Sequence, residues 1–255
     1  TGCTNTAVRT VTVNPLPTIN VSTSSSVICV GQTANLNASG ASTYTWMPGT
    51  LVGAAVVANP TVNTTYTVTG TSAAGCTNAA VRSVTVNPLP TVNATASNSV
   101  ICAGQSTTLT ASGASTYTWN PGGVTGSPIV VNPVATTVYT VIGVNTGGCS
   151  NTAVRTITVN TLPTINTTSS STLICTGQTA TLSATGAATY TWNPGGATGA
   201  STAVSPTTST TYSVTGTGAN GCNNTAMYTL SVSACTGIEQ VVNAGGYTVF
   251  PNPTT

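Results

Sequence analysis

The chain has 255 residues, and its only charged side chains are Arg9, Arg82, Arg155 and Glu239, 2% of the sequence where an ordinary globular domain has about 25%. There is no Lys, Asp or His, and a net charge of +2 spread over distant positions holds no polyanion, which excludes nucleic acid as a partner. A hydrophobic content of 39% argues against disorder, and the longest apolar stretch, Leu51–Ala58, falls far short of the roughly 20 residues of a membrane span.

The chain repeats with a period of 73 residues. Cys3, Cys76, Cys149 and Cys222 keep this spacing, as do Cys29, Cys102 and Cys175, and Trp46, Trp119 and Trp192. Residues 1–17 read as the end strands of an incomplete repeat. Three full repeats follow at 18–90, 91–163 and 164–236, and 237–255 form a different tail. No secretion signal opens the chain, and Thr1-Gly2-Cys3 reads like the interior of a domain.

Within the first repeat, Thr33–Ala38, Thr43–Trp46, Thr65–Thr71 and Val81–Val86 alternate β-branched, aromatic or apolar residues with polar ones, as half-buried strands do. Turn residues such as Pro48-Gly49 and Ala73-Ala74-Gly75 separate them, and no stretch sustains a helical period. Short strands at even spacing predict a small antiparallel β-sandwich per repeat, in an all-β tandem array. The connectors Val13-Asn14-Pro15-Leu16-Pro17, Val86–Pro90 and Val159–Pro163 are expected to be extended and stiff, because Pro restricts its own φ and its predecessor. Identical connectors between identical domains predict a rod, on the order of 100 Å for three domains.

The motifs Val27–Gly49, Thr64–Thr71 and Gly75–Val86, repeated in each unit, resemble the immunoglobulin-like or PKD-like repeats of large secreted proteins of Bacteroidota. The likeness covers about nine-tenths of the chain. In the tail, Cys235–Glu239 and Val249–Thr254 resemble the lead-in to a type IX secretion sorting domain. Such repeats serve as stalks, adhesins and surface filaments. The order Cys…Trp…Cys resembles immunoglobulin-like domains, whose Trp packs on an inter-sheet disulfide. It implies bridges inside each repeat: Cys29 with Cys76, Cys102 with Cys149 and Cys175 with Cys222. Disulfides place the chain in an oxidising, extracellular or cell-surface location. Cys3 and Cys235 are left over, and an unpaired Cys at each end suggests a bridge between chains.

The chemistry of an enzyme is missing. General acid–base work needs a group that titrates near neutrality, and the sequence has one carboxylate and no imidazole. Ser and Thr hydroxyls without a base are not activated nucleophiles. No metal or cofactor is expected, and the calcium of some PKD-type domains is not carried over, for want of carboxylates. Trp46 with Tyr44, and their counterparts Trp119/Tyr117 and Trp192/Tyr190, could stack on cell-surface glycans; the preferred reading is that they pack the core. Arg9, Arg82 and Arg155 share one repeat position and are read as solvated charges that discourage edge pairing.

The expectation is a non-catalytic extracellular structural protein that polymerises head to tail with copies of itself, the tail of one chain adding strands to residues 1–17 of the next. The alternative is a stalk segment that spaces the tip of a large adhesin from the cell.

Overall fold

A computed structural model of the chain describes residues 1–235, so the expectations placed on residues 237–255, Glu239 and the sorting-domain likeness among them, lie outside the described residues. The described residues contain no helix. The fold is all-β, a tandem series of small β-sandwiches. By contact the described residues divide into two compact units: Thr1–Ala96 with Thr108–Ile129 and Val138–Arg155, and Ser97–Thr107 with Val130–Thr137 and residues 156–235.

The first unit opens with a sandwich of eight strands: β1 (Asn20–Thr23), β2 (Val27–Cys29), β3 (Ala34–Ser39), β4 (Thr43–Met47), β5 (Leu51–Val52), β6 (Ala55–Ala58), β7 (Thr64–Thr71) and β8 (Thr77–Asn87). One sheet has the order β1-β3-β6 and the other β2-β8-β7-β4-β5. Only β2 against β8 is parallel, with Cys29 opposite Asn87. Alternation along β3 and β4 turns Ala34, Leu36 and Ala38, then Tyr44 and Trp46, toward the interior. Tyr66, Val68, Val84, Ile28 and Ala58 complete this core from the remaining strands. Each fully buried Leu or Val contributes about 1.5–3 kcal/mol.

The next strands are β9 (Asn93–Ala96), β10 (Val100–Cys102), β11 (Thr107–Ser112), β12 (Thr116–Asn120), β13 (Val124–Thr125), β14 (Ile129–Val131), β15 (Thr137–Val144) and β16 (Ser150–Asn160). Within the first unit β9 pairs with β11, and β12 with β13 and β15, in registers offset by one repeat from β1–β3, β4–β5 and β4–β7. Within the second unit β10 runs parallel to the end of β16, Cys102 opposite Asn160. That unit also holds a sandwich of β17 (Asn166–Ser169), β18 (Leu173–Cys175), β19 (Ala180–Thr185), β20 (Thr189–Asn193), β21 (Ser201–Val204), β22 (Thr210–Thr217) and β23 (Asn223–Ser233). Its sheets are β17-β19-β21 and β18-β23-β22-β20, closed over Leu182, Trp192, Tyr212, Val214 and Leu230.

The chain enters each sandwich by a close backbone crossing. Gly40 has φ +99°, and a Cβ there would run into the carbonyl of Thr18; the same holds for Gly113 with Thr91 and Gly186 with Thr164. Only Gly accepts both the left-handed backbone and the contact.

Two expectations differ from the structure. Residues 1–17, read as end strands, form no strand, and all but Pro17 are exposed. Their counterpart Thr77–Asn87 is a strand because it pairs with β7, which precedes it in the chain; among the described residues, 1–17 pair with no strand. Arg82 and Arg155 are half-buried, and the Nε of each is buried without a hydrogen-bond partner, whereas Arg9 is exposed. Arg82 stands opposite Tyr66 in the β7–β8 register, so the neighbouring strand removes it from solvent.

Candidate functional site: cysteine clasps joining successive repeats

Each first cysteine ends a three-residue strand and begins a tight turn. In Cys29-Val30-Gly31-Gln32 the Gln32 amide donates to the Cys29 carbonyl at 2.9 Å, and Gly31 has φ +87°. This is the geometry of a type II turn, which favours Gly at its third position. The Gln32 side-chain oxygen then accepts from the Cys29 amide at 2.9 Å. Gln105 and Gln178 do the same for Cys102 and Cys175. The turn fixes where each sulfur projects, beside the end of the long strand of its own repeat.

Each second cysteine follows a hairpin turn. The Ser72 amide donates to the Cys76 carbonyl at 2.9 Å, as the Asn145 amide does to Cys149 at 2.9 Å and the Gly218 amide to Cys222 at 2.8 Å. Two residues on, an asparagine ties the turn to the connector. Asn78 donates to the Pro17 carbonyl at 2.9 Å, Asn151 to Pro90 at 3.1 Å and Asn224 to Pro163 at 3.0 Å. Asn145 adds a bond to the Pro88 carbonyl at 2.9 Å, and Asn220 one to Thr161 at 3.0 Å.

The disulfides cross from one repeat to the next. Cys29 is bonded to Cys149 with Cα atoms 5.6 Å apart, and Cys102 to Cys222 at 5.7 Å, each pair 120 residues apart in sequence. The expected bridges Cys29–Cys76, Cys102–Cys149 and Cys175–Cys222 do not form. Cys76 precedes the first residue of β8, while Cys29 lies opposite its last. A strand of 11 residues separates them by roughly 33 Å, and a disulfide needs Cα atoms within about 7 Å. The cysteine that reaches Cys29 is therefore the one whose hairpin packs on the connector leaving β8.

The last clasp is made differently. Cys175 is bonded to Cys235, 60 residues on, at a Cα separation of 5.3 Å. Cys235 follows the end of β23 by two residues, and Cys175 lies opposite Ser233, so the exiting chain supplies the sulfur itself. The expected bridge between Cys3 and Cys235 is thereby corrected: Cys235 is taken, and Cys3 is free and exposed. The other free thiol is Cys76, half-exposed where Cys149 and Cys222 are 1% and 0% exposed.

Of the aromatic residues considered as a glycan platform, Tyr44 and Tyr190 are buried with the three Trp, while Tyr117 is half-buried and lines a groove. Trp46, Trp119 and Trp192 are buried, and their indole N–H groups donate to the carbonyls of Gly53, Gly126 and Gly199 at 3.0–3.1 Å. The Tyr44, Tyr117 and Tyr190 hydroxyls donate to the carbonyls of Ala41, Ala114 and Ala187. Burial pushes the phenols of Tyr66, Tyr139 and Tyr212 above their usual pKa of 10. A groove of about 620 Å³ runs beside Ser115–Thr118 and Thr125–Ser127, and its lining offers hydroxyls, one phenol and no carboxylate, imidazole or amine. Among the described residues no cluster of His, Cys, Asp or Glu could hold a metal ion. No helix long and apolar enough to cross a membrane occurs among the described residues.

No protein-family model matches the chain, and no curated protein does. Several solved structures resemble it at low identity. The chain solved in a structural study of a 1.5-MDa bacterial ice-binding adhesin is 16% identical over 86% of this chain and 99% of that solved chain, with a TM-score of 0.31. The calcium-stabilised adhesin with which an Antarctic bacterium reaches out and binds ice is 17% identical over 88% and 76%, with a TM-score of 0.36. The eight N-terminal immunoglobulin domains of Down syndrome cell adhesion molecule are 15% identical over 86% of this chain and 37% of that one, with a TM-score of 0.44. At these TM-scores the likenesses carry no functional weight.

Proposed function

We propose that the chain is a non-catalytic, extracellular structural protein, a subunit of a surface filament assembled from its own repeats. The observation that carries this reading is the clasp: each first cysteine is bonded across a repeat boundary or to the exiting chain, so the bonds tie repeats in series. Uniform repeats suit spacing and load-bearing better than recognition, which calls for a unit that differs. Three disulfides support an oxidising location, and the tail's likeness to a type IX sorting segment supports export from a bacterium of the Bacteroidota. The second reading is a stalk segment of a cell-surface adhesin, favoured by the same clasps.

Negative-stain electron microscopy of the purified chain tests the proposal. Fibres many times longer than one chain, with a uniform width, are expected. Discrete particles of one-chain mass at all concentrations overturn the filament and leave the stalk.

A further inference from the structure

Among the described residues, two features lack the partners that their repeat counterparts have. Residues 4–17 match 77–90 except at Thr6 (Ala79) and Thr10 (Ser83), yet 77–87 form a paired strand and 4–14 form none. Val11 is 84% exposed, while its counterparts Val84, Ile157 and Leu230 are 1%, 0% and 0% exposed. The second feature is Cys76. Its turn matches those of Cys149 and Cys222, and its sulfur lies 3.8 Å from the Asn14 carbonyl, as that of Cys149 lies 3.8 Å from Asn87. In both later copies that cysteine is bonded to the one that ends the short parallel strand beside the long strand.

We propose that residues 4–14 and Cys76 together form a socket for one kind of partner: a repeat unit of this sandwich type that lacks its last strand. Residues 4–14 enter its sheet as β8 enters that of the first repeat, antiparallel to a β7-like strand and parallel to a β2-like one. The cysteine ending the β2-like strand then lies opposite Asn14, next to Cys76, as Cys29 lies opposite Asn87, next to Cys149. Cys76 bonds to it. The oxidant is a small disulfide such as oxidised glutathione. The Cys76 thiolate attacks it, one glutathione thiolate leaves, and the partner thiolate displaces the second, giving one protein disulfide and two glutathione thiols. The inference rests on the proposed assembly of repeats and names the residues that receive the neighbour.

The test has two arms, which separate the two sources of such a unit. In the first, the full chain is mixed in glutathione redox buffer with a separate polypeptide of residues 18–71, carrying β1–β7 and Cys29 but no last strand. In the second, the chain is extended by a second copy of residues 18–73 placed directly before Thr1, so that the added unit continues into residues 1–17. Peptide mapping by mass spectrometry reads the disulfides. The expected result is a link between Cys76 and the added unit's Cys29 in at least one arm, with complete loss in C76S and no change in C3S. The first arm alone assigns the partner to a separate chain, the second alone to a unit preceding residues 1–17. A free Cys76 in both arms, or linkage at Cys3 instead, overturns the proposal. A Cys76 link without fibres leaves the socket standing and removes the filament.

Discussion

Residues 4–14 and Thr77–Asn87 carry almost the same sequence and have opposite fates. The second is the longest strand of its sandwich, paired along its length with β7 and at its end with β2. The first is exposed coil. Period-2 alternation is present in both, so what separates them is a partner for the backbone N–H and C=O groups and an apolar face to pack against. A strand is a property of a pair of segments. The two cysteines beyond these segments follow the same rule, since the thiol of Cys76 and the disulfide of Cys149 share one local turn and differ only in what approaches it.

The comparison breaks most sharply at the clasp. The double variant C29S/C149S opens a loop of 120 residues, about 5 kcal/mol in the chain-entropy model, whereas C76S changes nothing in the isolated chain. Guanidinium unfolding, with the disulfides mapped, reads the difference; equal midpoints for the two variants would refute the assignment. Next comes the buried face of the strand. V84D places a carboxylate where 1% of the side chain sees water and costs the first repeat about 4 kcal/mol. V11D, at the matching position, leaves the thermal transitions where they are. Smaller again is the connector tie: N78A loses its bond to the Pro17 carbonyl, worth about 1 kcal/mol, and N5A loses none.

The gentlest test is pH. Burial raises the pKa of Tyr66, Tyr139 and Tyr212 above their unfolded value of 10, so their contribution to stability is complete below pH 10 and is lost as pH rises through the folded values. With one carboxylate and no histidine in the sequence, stability is expected to stay flat from about pH 5 to 9 and fall above 10. Thermal melts of chain with alkylated Cys3 and Cys76 check this, and a second fall in mild acid would contradict it.

The fold class was legible in the sequence because alternation and the 73-residue period are local or additive signals. The four strands expected in the first repeat are found, β8 starting four residues earlier than expected. The strands β1, β2, β5 and β6 escaped, being two to four residues long and too brief to show a period. The core role of Trp46, Trp119 and Trp192 was legible too. The clasps were not. Pairing within repeats leaves Cys3 and Cys235 over, pairing across them leaves Cys3 and Cys76, and eight cysteines satisfy either count. Only the length of β8, which holds Cys29 and Cys76 at opposite ends, decides between the two.

The staggered bonds also set how far the polypeptide can be drawn out. Between Cys29 and Cys235 lie 206 residues of backbone, roughly 700 Å if fully extended. A pull applied at those two points takes a shorter covalent route: through the bond to Cys149, along 26 residues to Cys175, and through the bond to Cys235. That route is roughly 90 Å long. Even with every sandwich unravelled, the tether between these points stays taut at that length until a sulfur–sulfur bond is reduced or broken.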